Sequence, residues 1–277
     1  MGCGNLFLLI IRLVDAPPQM PPHIHIVYRP SDPMNKVIAK KVRKESNELE
    51  ILKLLNATQP KSDHVISLLD SFQGHSRTWA ILPKMESIAD CVEFAPEELE
   101  SKVVQVCLGL IEGLAYLHRF CIAHRDIKPH NLLVDSDFCL KIIDFDIAMQ
   151  VKDEDEEVAD QCGTKGWIAP EIEKKVMYSP IKADRWSCGH VLLYLLDKSR
   201  KDHLPLRAIA RKLDVDNPKQ RPSLLEWCNS FSQPLSGVGD IGNGDETKLS
   251  RSRRNSREVD GEDMPPNAKK RKLNGSP

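Results

Sequence analysis

The chain has 277 residues, of which 41% are apolar, enough to fill a sizeable core. Its 39 basic and 40 acidic residues leave a formal net charge of −1, so composition gives no overall bias toward nucleic acid or an anionic membrane. The eight cysteines include no Cys-x-x-Cys pair, which favours free thiols in a reducing, intracellular compartment.

The first 83 residues contain several segments that are predicted as strands. The apolar run "LFLLIIRLV" at residues 6–14 is about half as long as a membrane span and contains Arg12, so we expect a strand and no membrane partner. Six prolines between residues 15 and 34 disfavour a helix and leave one edge strand around "HIHIVY". "KVIAKKV" and "TWAILP" are predicted as further strands.

Three segments have helical patterns. "SNELEILKLL" predicts a helix capped by Ser46, and residues 96–118 predict a long helix with one apolar face. Residues 184–197 are apolar nearly all round, which predicts a helix inside the core. Two short apolar runs, "NLLVD" and "CLKIIDF", are separated by "SDF" and predict a β-hairpin.

The polar residues on either side of this hairpin have the composition of a catalytic site. "HRDIKPHN" before it and "DFD" after it bring four residues to one end of a small sheet. Mg²⁺ takes oxygen ligands, so Asp144 and the amide oxygen of Asn131 are the predicted metal ligands. Asp126 would accept the proton of an attacking hydroxyl, and Lys128 would stabilise charge on a transferring phosphoryl group.

These motifs resemble those of the eukaryotic serine/threonine protein kinases. The pattern His-Arg-Asp-x-Lys-Pro-x-Asn is complete at residues 124–131, and Asp-Phe follows at residues 144–145. "GTKGWIAPE", "DRWSCG" and "QRPS" match three further motifs of the family in the same order. In that family the arginine of "QRPS", here Arg221, pairs with the glutamate of "APE", here Glu171.

The resemblance, which covers residues 35–232, implies an α+β, two-lobed fold with a small, reduced, β-rich N-lobe and a larger helical C-lobe. We place the N-lobe at residues 23–83 and the C-lobe at residues 84–232. An N-terminal extension of uncertain structure would occupy residues 1–22. The Gly-, Ser-, Asp- and Arg-rich composition from residue 233 onward predicts a disordered tail over residues 233–277.

The resemblance also implies ATP and Mg²⁺ as cofactors. Lys40 matches the lysine that holds the α and β phosphates, and Glu48 matches its partner on the following helix. Lys41 remains a competitor, because strand alternation places the two lysines on opposite faces without choosing between them. The backbone groups of Pro83 and Met85 would bind the adenine ring.

Two departures from the family bear on nucleotide binding. Residues 15–39 contain no glycine where the family carries Gly-x-Gly-x-x-Gly. Either the chain is a truncated or mis-started product, or a hairpin within residues 26–41 covers the nucleotide poorly. The affinity for ATP should be lower in both cases.

The second departure is Asp146, which replaces the glycine after Asp-Phe. Aspartate enters the left-handed region at modest cost, so we expect Asp146 to restrict the motion of this segment without removing catalytic activity. Its added charge leaves repulsion of phosphate or binding of a second cation as open alternatives.

A third departure lies between Asp146 and Gly163. This segment contains no Ser, Thr or Tyr, but it includes the acidic run "KDEDEEVAD" at residues 152–160. In kinases with an arginine before the catalytic aspartate, here Arg125, a phosphate in this segment commonly pairs with it. Our hypothesis is that Glu156, Glu157 or a neighbour stands in for that phosphate. The alternative is a solvated acidic loop without specific contacts.

We therefore expect a protein serine/threonine kinase acting on a protein substrate, and the alternative is a pseudokinase that serves as a scaffold or allosteric partner. "KKRK" at residues 269–272 resembles a nuclear import signal, so a nuclear or cytoplasmic location is expected. Direct binding of nucleic acid is not expected, because no predicted folded element presents these charges. The substrate, the activating partner and the oligomeric state are left open.

Overall fold

The computed structural model describes the chain over residues 12–13, 21–29, 31–74, 77–200 and 203–232. Most of the apolar run at residues 6–14, the predicted tail and its basic cluster lie outside these ranges. Within the described part, no helix is both long enough and apolar enough to cross a bilayer.

The first half of this part is built around a five-stranded antiparallel sheet with strand order β1-β2-β3-β5-β4. Its strands are β1 (Arg12–Leu13), β2 (Ile24–Arg29), β3 (Asp32–Lys41), β4 (Asp70–Gln73) and β5 (Thr78–Pro83). The prediction of "HIHIVY" as an edge strand is wrong, because β1 pairs with Tyr28 and Val27 on the outer side of β2. The predicted strand "KVIAKKV" is the second half of β3, which forms a hairpin with β2.

Helix α1 (Glu48–Ala57) follows β3 and packs against the sheet. The prediction of Ser46 as the cap is wrong, because Asn47 is the N-cap residue; Ser46, one residue earlier, accepts a hydrogen bond at Oγ from the backbone N–H of Glu48 at 3.0 Å. Its apolar face contributes Leu52 and Leu55 to a core cluster shared with Leu82 of β5. This packing directs Glu48, which is 1% exposed, toward the sheet.

The second half is mainly helical. Its helices are α2 (Ile88–Phe94), α3 (Pro96–Arg119), α4 (Pro170–Glu173), α5 (Pro180–Lys198), α6 (Leu204–Leu213) and α7 (Leu224–Ser232). Its short strands are β6 (Glu86–Ser87), β7 (Ile122–Ala123), β8 (Leu132–Val134), β9 (Leu140–Ile142) and β10 (Met149–Gln150). The expected α+β fold, with a small sheet region and a helical region, is confirmed.

Helices α3 and α5 form the centre of the helical region. Helix α5 begins earlier than predicted, because Ser179 Oγ accepts a hydrogen bond from the backbone N–H of Lys182 and Pro180 occupies the first turn. Strands β8 and β9 form the predicted hairpin, with Leu132 opposite Ile142. The hairpin lies against α3, so the loops before β8 and after β9 open on the same side.

Candidate active site

Lys40 is the basic residue at the centre of the first half of the site. Its Nζ donates to Glu48 Oε1 and to Asp144 Oδ1, both at 2.6 Å. Strand β3 supplies the lysine, α1 the glutamate and the segment after β9 the aspartate. Lys40 is 6% exposed, whereas Lys41 is only half-buried on the opposite face of β3. Lys40, and not Lys41, is therefore the lysine that faces Glu48 and Asp144.

The charges of this cluster shift the pKa of all three groups. Burial opposes the Lys40 ammonium, but the carboxylates of Glu48 and Asp144 outweigh it and raise the pKa of Lys40. Burial likewise opposes the Asp144 carboxylate, yet the Lys40 ammonium lowers the pKa of Asp144 overall. For Glu48, burial exceeds the attraction of Lys40 and raises the pKa. Lys40 and Asp144 are thus stabilised as an ion pair.

Asp126 is the centre of the second half of the site. Lys128 Nζ donates to Asp126 Oδ2 at 2.7 Å, and Thr164 Oγ1 donates to Asp126 Oδ1 at 2.7 Å. Lys128 Nζ also donates to Thr164 Oγ1 at 2.7 Å, which closes a ring of three side chains. Thr164 thus contacts both Asp126 and Lys128, although it lies 38 and 36 residues further along the chain.

Asn131 and Asp144 each keep an oxygen atom that could bind a cation. Asn131 Nδ2 donates to the backbone oxygen of Asp126 at 2.8 Å and to Asp126 Oδ2 at 2.9 Å. Its amide oxygen is therefore the atom that remains for a cation. Asp144 uses Oδ1 for Lys40 and keeps a side chain that is 34% exposed, so a second carboxylate oxygen is available. An all-oxygen donor set of this kind suits Mg²⁺.

A buried aspartate from α5 sets the backbone of the catalytic loop. Asp184, which is 1% exposed, accepts hydrogen bonds from the backbone N–H groups of His124 at 2.6 Å and Arg125 at 2.8 Å. Arg125 has a φ of 70°, a left-handed conformation that is unfavourable for a bulky side chain. We infer that these two bonds hold the strained backbone immediately before Asp126.

Arg125 pairs with the acidic run after β10, but not through the residues that the sequence suggested. Arg125 Nη2 contacts Asp160 Oδ2 and also donates to the Tyr178 hydroxyl at 3.3 Å. The choice of Glu156 or Glu157 is therefore wrong, and the neighbour that meets Arg125 is Asp160. Glu156 instead accepts a hydrogen bond from the backbone N–H of Lys152 at 2.5 Å.

Two more carboxylates of the acidic run are ion-paired with α5. Arg185 contacts Glu154, and Lys182 contacts Asp155. Ser179 Oγ adds a 2.6 Å hydrogen bond to the backbone oxygen of Glu154. The alternative of a solvated loop without specific contacts is therefore wrong, because the run is attached to α5 and to Arg125.

Asp146 has a cationic partner that the sequence did not suggest. Arg43 Nε donates to Asp146 Oδ2 at 2.8 Å. The left-handed residue of this segment is Asp144, with φ of 68°, and Asp146 is not among the described residues with positive φ. The expected left-handed backbone thus occurs two residues before Asp146, so the segment does not require glycine at that position.

The residues predicted to bind adenine lie where the chain passes from the sheet region to the helical region. Pro83 is the last residue of β5, and Met85 lies in the short link between β5 and β6. Leu82, immediately before them, is 7% exposed and belongs to the main core. The pairing of β3 with β5 places Pro83 opposite Val37 and Ala80 opposite Lys40, so this link begins three residue pairs away from Lys40.

Comparison with known proteins agrees with these motifs. The family model described as "Protein kinase domain" matches residues 32–230. The chain is 37% identical over 202 residues to the serine/threonine-protein kinase pakG of Dictyostelium discoideum, a match that covers 69% of this chain and 16% of that protein. It is 31% identical over 196 residues to the serine/threonine-protein kinase CLA4 of Candida albicans, covering 68% of this chain and 20% of that protein.

The serine/threonine-protein kinase CST20 of Candida albicans is 28% identical over 219 residues, covering 69% of this chain and 18% of that protein. The chain therefore spans about a fifth of the length of these relatives. The family match extends over most of the chain and includes both halves of the site. The chain belongs to the protein kinase domain family.

Proposed function

We propose that the protein transfers the γ-phosphoryl group of Mg·ATP to a serine or threonine hydroxyl of a protein substrate. The observation that supports this most directly is the ring of Asp126, Lys128 and Thr164 beside the Lys40–Asp144 ion pair. One cluster can accept a proton from an alcohol, and the other can hold phosphates and a cation.

In the proposed reaction, the substrate hydroxyl oxygen attacks the γ-phosphorus, and the bond to the β,γ-bridging oxygen breaks to release ADP. The hydroxyl proton passes to the carboxylate of Asp126. That carboxylate already accepts a hydrogen bond from an alcohol, the Thr164 hydroxyl. Lys128 stabilises the negative charge on the transferring group.

Lys40 would hold the α and β phosphates, with Glu48 fixing its ammonium in place. Asn131 and Asp144 would hold Mg²⁺, which supplies positive charge to the phosphate oxygens when bound. The backbone of Pro83 and Met85 would bind adenine. These assignments follow the family motifs and agree with the donor atoms available in the site.

The proposal is tested by the transfer of labelled γ-phosphate to a general protein substrate with Mg²⁺, followed by identification of the acceptor residue. Label on serine or threonine that disappears with the Asp126→Asn variant is the expected result. A folded wild-type protein that transfers no label would favour the pseudokinase alternative.

We further propose that the kinase is active without phosphorylation of its acidic segment, because Asp160 supplies the negative charge beside Arg125. Replacing Asp160 with Asn is expected to lower the rate of transfer about fivefold, since one charged contact to Arg125 is lost. Phosphatase treatment of the wild-type protein is expected to leave the rate unchanged, because residues 147–162 contain no Ser, Thr or Tyr.

The matched control is Glu157→Gln, which removes the same charge from the same run without touching the contact to Arg125. Its rate should equal that of the wild type. Equal losses in the two variants would mean that only the total charge of the run matters. A loss after phosphatase treatment would contradict phosphorylation-independent activity.

The affinity for ATP is expected to be low. The link between β2 and β3 is only residues 30–31, so the six-residue glycine motif of the family fits only between β1 and β2, at residues 14–23. That stretch holds four prolines and no glycine, and proline has no N–H to donate to a phosphate. Replacing residues 17–22, a six-residue stretch that holds all four prolines, with Gly-x-Gly-x-x-Gly should lower the KM for ATP about tenfold, the value of one charged hydrogen bond.

The control for this exchange replaces only the four prolines with serine. A smaller decrease in KM than with the glycine sequence is expected, because serine restores N–H groups without the backbone freedom of glycine. An unchanged KM in both variants would contradict a role for this stretch in nucleotide affinity.

We also propose an intracellular location, in the nucleus or the cytoplasm. The seven cysteines in the described ranges are all free thiols, as a reducing compartment requires. The basic cluster at residues 269–272 supports nuclear import. Imaging of the tagged protein with and without this cluster tests the nuclear alternative.

A further inference from the structure

Two parallel ion pairs connect the end of β3 with the segment that follows β9. Lys40 pairs with Asp144, and three residues further along the chain Arg43 pairs with Asp146. Both nitrogens of Arg43 that face the segment contact the same oxygen, Asp146 Oδ2, at 2.8 Å for Nε and 2.7 Å for Nη2. The segment is therefore attached at two points, one on β3 and one two residues beyond the end of β3.

The residue between the two attachments is buried. Phe145 is 0% exposed, and its ring packs edge-on against His124, with ring centroids 5.1 Å apart. Its backbone oxygen accepts a hydrogen bond from the N–H of Ala148 at 3.1 Å. A turn of the whole segment that carried Asp144 away from Lys40 would also have to break the Arg43–Asp146 ion pair and move the buried Phe145 ring.

The charge balance of this region depends on Arg43. The carboxylates of Glu48, Asp144 and Asp146 bring oxygens within 4.8 Å of one another. Lys40 contacts the first two and Arg43 contacts the third. Asp146 is 16% exposed and its Oδ1 is buried without a hydrogen-bond partner in the described part, so this carboxylate relies on Arg43 for compensation.

We propose that Asp146 is a positioning residue which, through Arg43, holds Asp144 in the orientation that binds the metal. The inference rests on the proposed kinase function and adds a regulatory property to it. In the resembling family, glycine at this position allows the aspartate to turn between two states. In this chain the same position carries an anchor, so the site stays assembled in the absence of nucleotide.

The direct test is amide hydrogen exchange over residues 143–149 of the full chain without nucleotide. The N–H groups of Ile143 and Ala148 are hydrogen-bonded there and report opening of the segment. Arg43→Gln and Asp146→Asn are each expected to raise the exchange rate about fivefold, the effect of losing one partly exposed ion pair. Asp146→Gly should raise it at least as much, because glycine also frees the backbone.

The double variant distinguishes a pair from two independent sites. If Arg43 and Asp146 act through each other, Arg43→Gln combined with Asp146→Asn should exchange no faster than either single variant. Additive effects, or exchange unchanged from the wild type, would overturn the proposal. Lys44→Gln is the matched control, because it removes a positive charge one residue away and is expected to leave exchange unchanged.

Phosphoryl transfer supplies the second readout. Fewer molecules with an assembled site give a lower kcat. In the single and double variants, kcat should therefore decrease by the same factor by which the amide exchange rate increases. If the wild-type protein has protected amides but transfers no phosphate, the kinase function is refuted and the positioning role of Asp146 is not. Transfer at the wild-type kcat in a variant with fast exchange would refute the positioning role while leaving the kinase function intact.

Discussion

Replacing Asp126 with Asn is expected to lower the rate of phosphoryl transfer about a thousandfold while leaving the fold unchanged. Asparagine has the same shape as aspartate but only one acceptor oxygen: that oxygen can keep the hydrogen bond from Lys128, and the amide NH2 can donate to the Thr164 hydroxyl. It cannot take up the proton of the substrate hydroxyl. Transfer of labelled phosphate measured at saturating ATP gives the loss, and thermal unfolding gives the integrity of the fold.

The companion variant, Asp144→Asn, removes charge from the other half of the site. We expect a comparable loss of transfer, with a rise in the Mg²⁺ concentration needed for half-maximal rate, because a neutral amide is a weaker ligand than a carboxylate. Asp126→Asn should leave that concentration nearly unchanged. This difference in the Mg²⁺ concentration needed for half-maximal rate distinguishes proton acceptance by Asp126 from metal binding by Asp144. The same Mg²⁺ concentration in both variants would contradict these two roles.

Replacing Arg221 with Leu is expected to destabilise the helical region by about 3–5 kcal/mol, because it leaves the carboxylate of Glu171 buried without its counter-charge. Arg221 Nη1 and Nη2 donate to Glu171 Oε1 at 2.5 Å and Oε2 at 2.8 Å, a bidentate pair. The other three guanidinium N–H groups donate to the backbone oxygens of Val215, Lys182 and Asp216. All five donors of the side chain are used.

The measurement is thermal or urea unfolding, and a loss of this size corresponds to a fall in Tm of about 10 °C for a domain of this length. Arg221→Lys should cost less, because it keeps the charge but loses the planar fork. Lys174→Ala is the control, since Lys174 Nζ lies 4.0 Å from Asp216 with both side chains exposed. A Tm unchanged in Arg221→Leu would contradict the role of the pair.

Much of the fold was predictable from local pattern. The apolar faces of α1 and α3 recur at helical spacing, and the two runs around "SDF" alternate as a hairpin should. Helix α6 was missed although its signal was present, since Leu206, Ala210 and Leu213 are buried at the same spacing. Strands β7 and β10 have two residues each and no local signal, because they exist only through pairing with each other.

The residues that come together at the site were also largely predictable, because the motifs that contain them are short and contiguous. Asp126, Lys128 and Asn131 lie within one catalytic loop, and Asp144 follows the adjacent hairpin. The roles assigned to these residues, and to Lys40 and Glu48, stay predictions until transfer is measured. The structure adds the distances that make the assignments testable.

The sequence by itself determined helices α1 and α3, the hairpin of β8 and β9, and the motif residues on either side of that hairpin, since these depend on neighbours along the chain. Only the tertiary structure shows that Lys40 and not Lys41 contacts Glu48, and that Asp160 and not Glu157 contacts Arg125. It alone also shows that Asp146 pairs with Arg43. The residues within each of the two pairs are similar in local composition, so periodicity and charge cannot separate them. The packing of distant segments determines which of two like charges has a partner, because Coulomb attraction depends on distance in space. The end of β3 meets residues 144–146 only after the chain has folded.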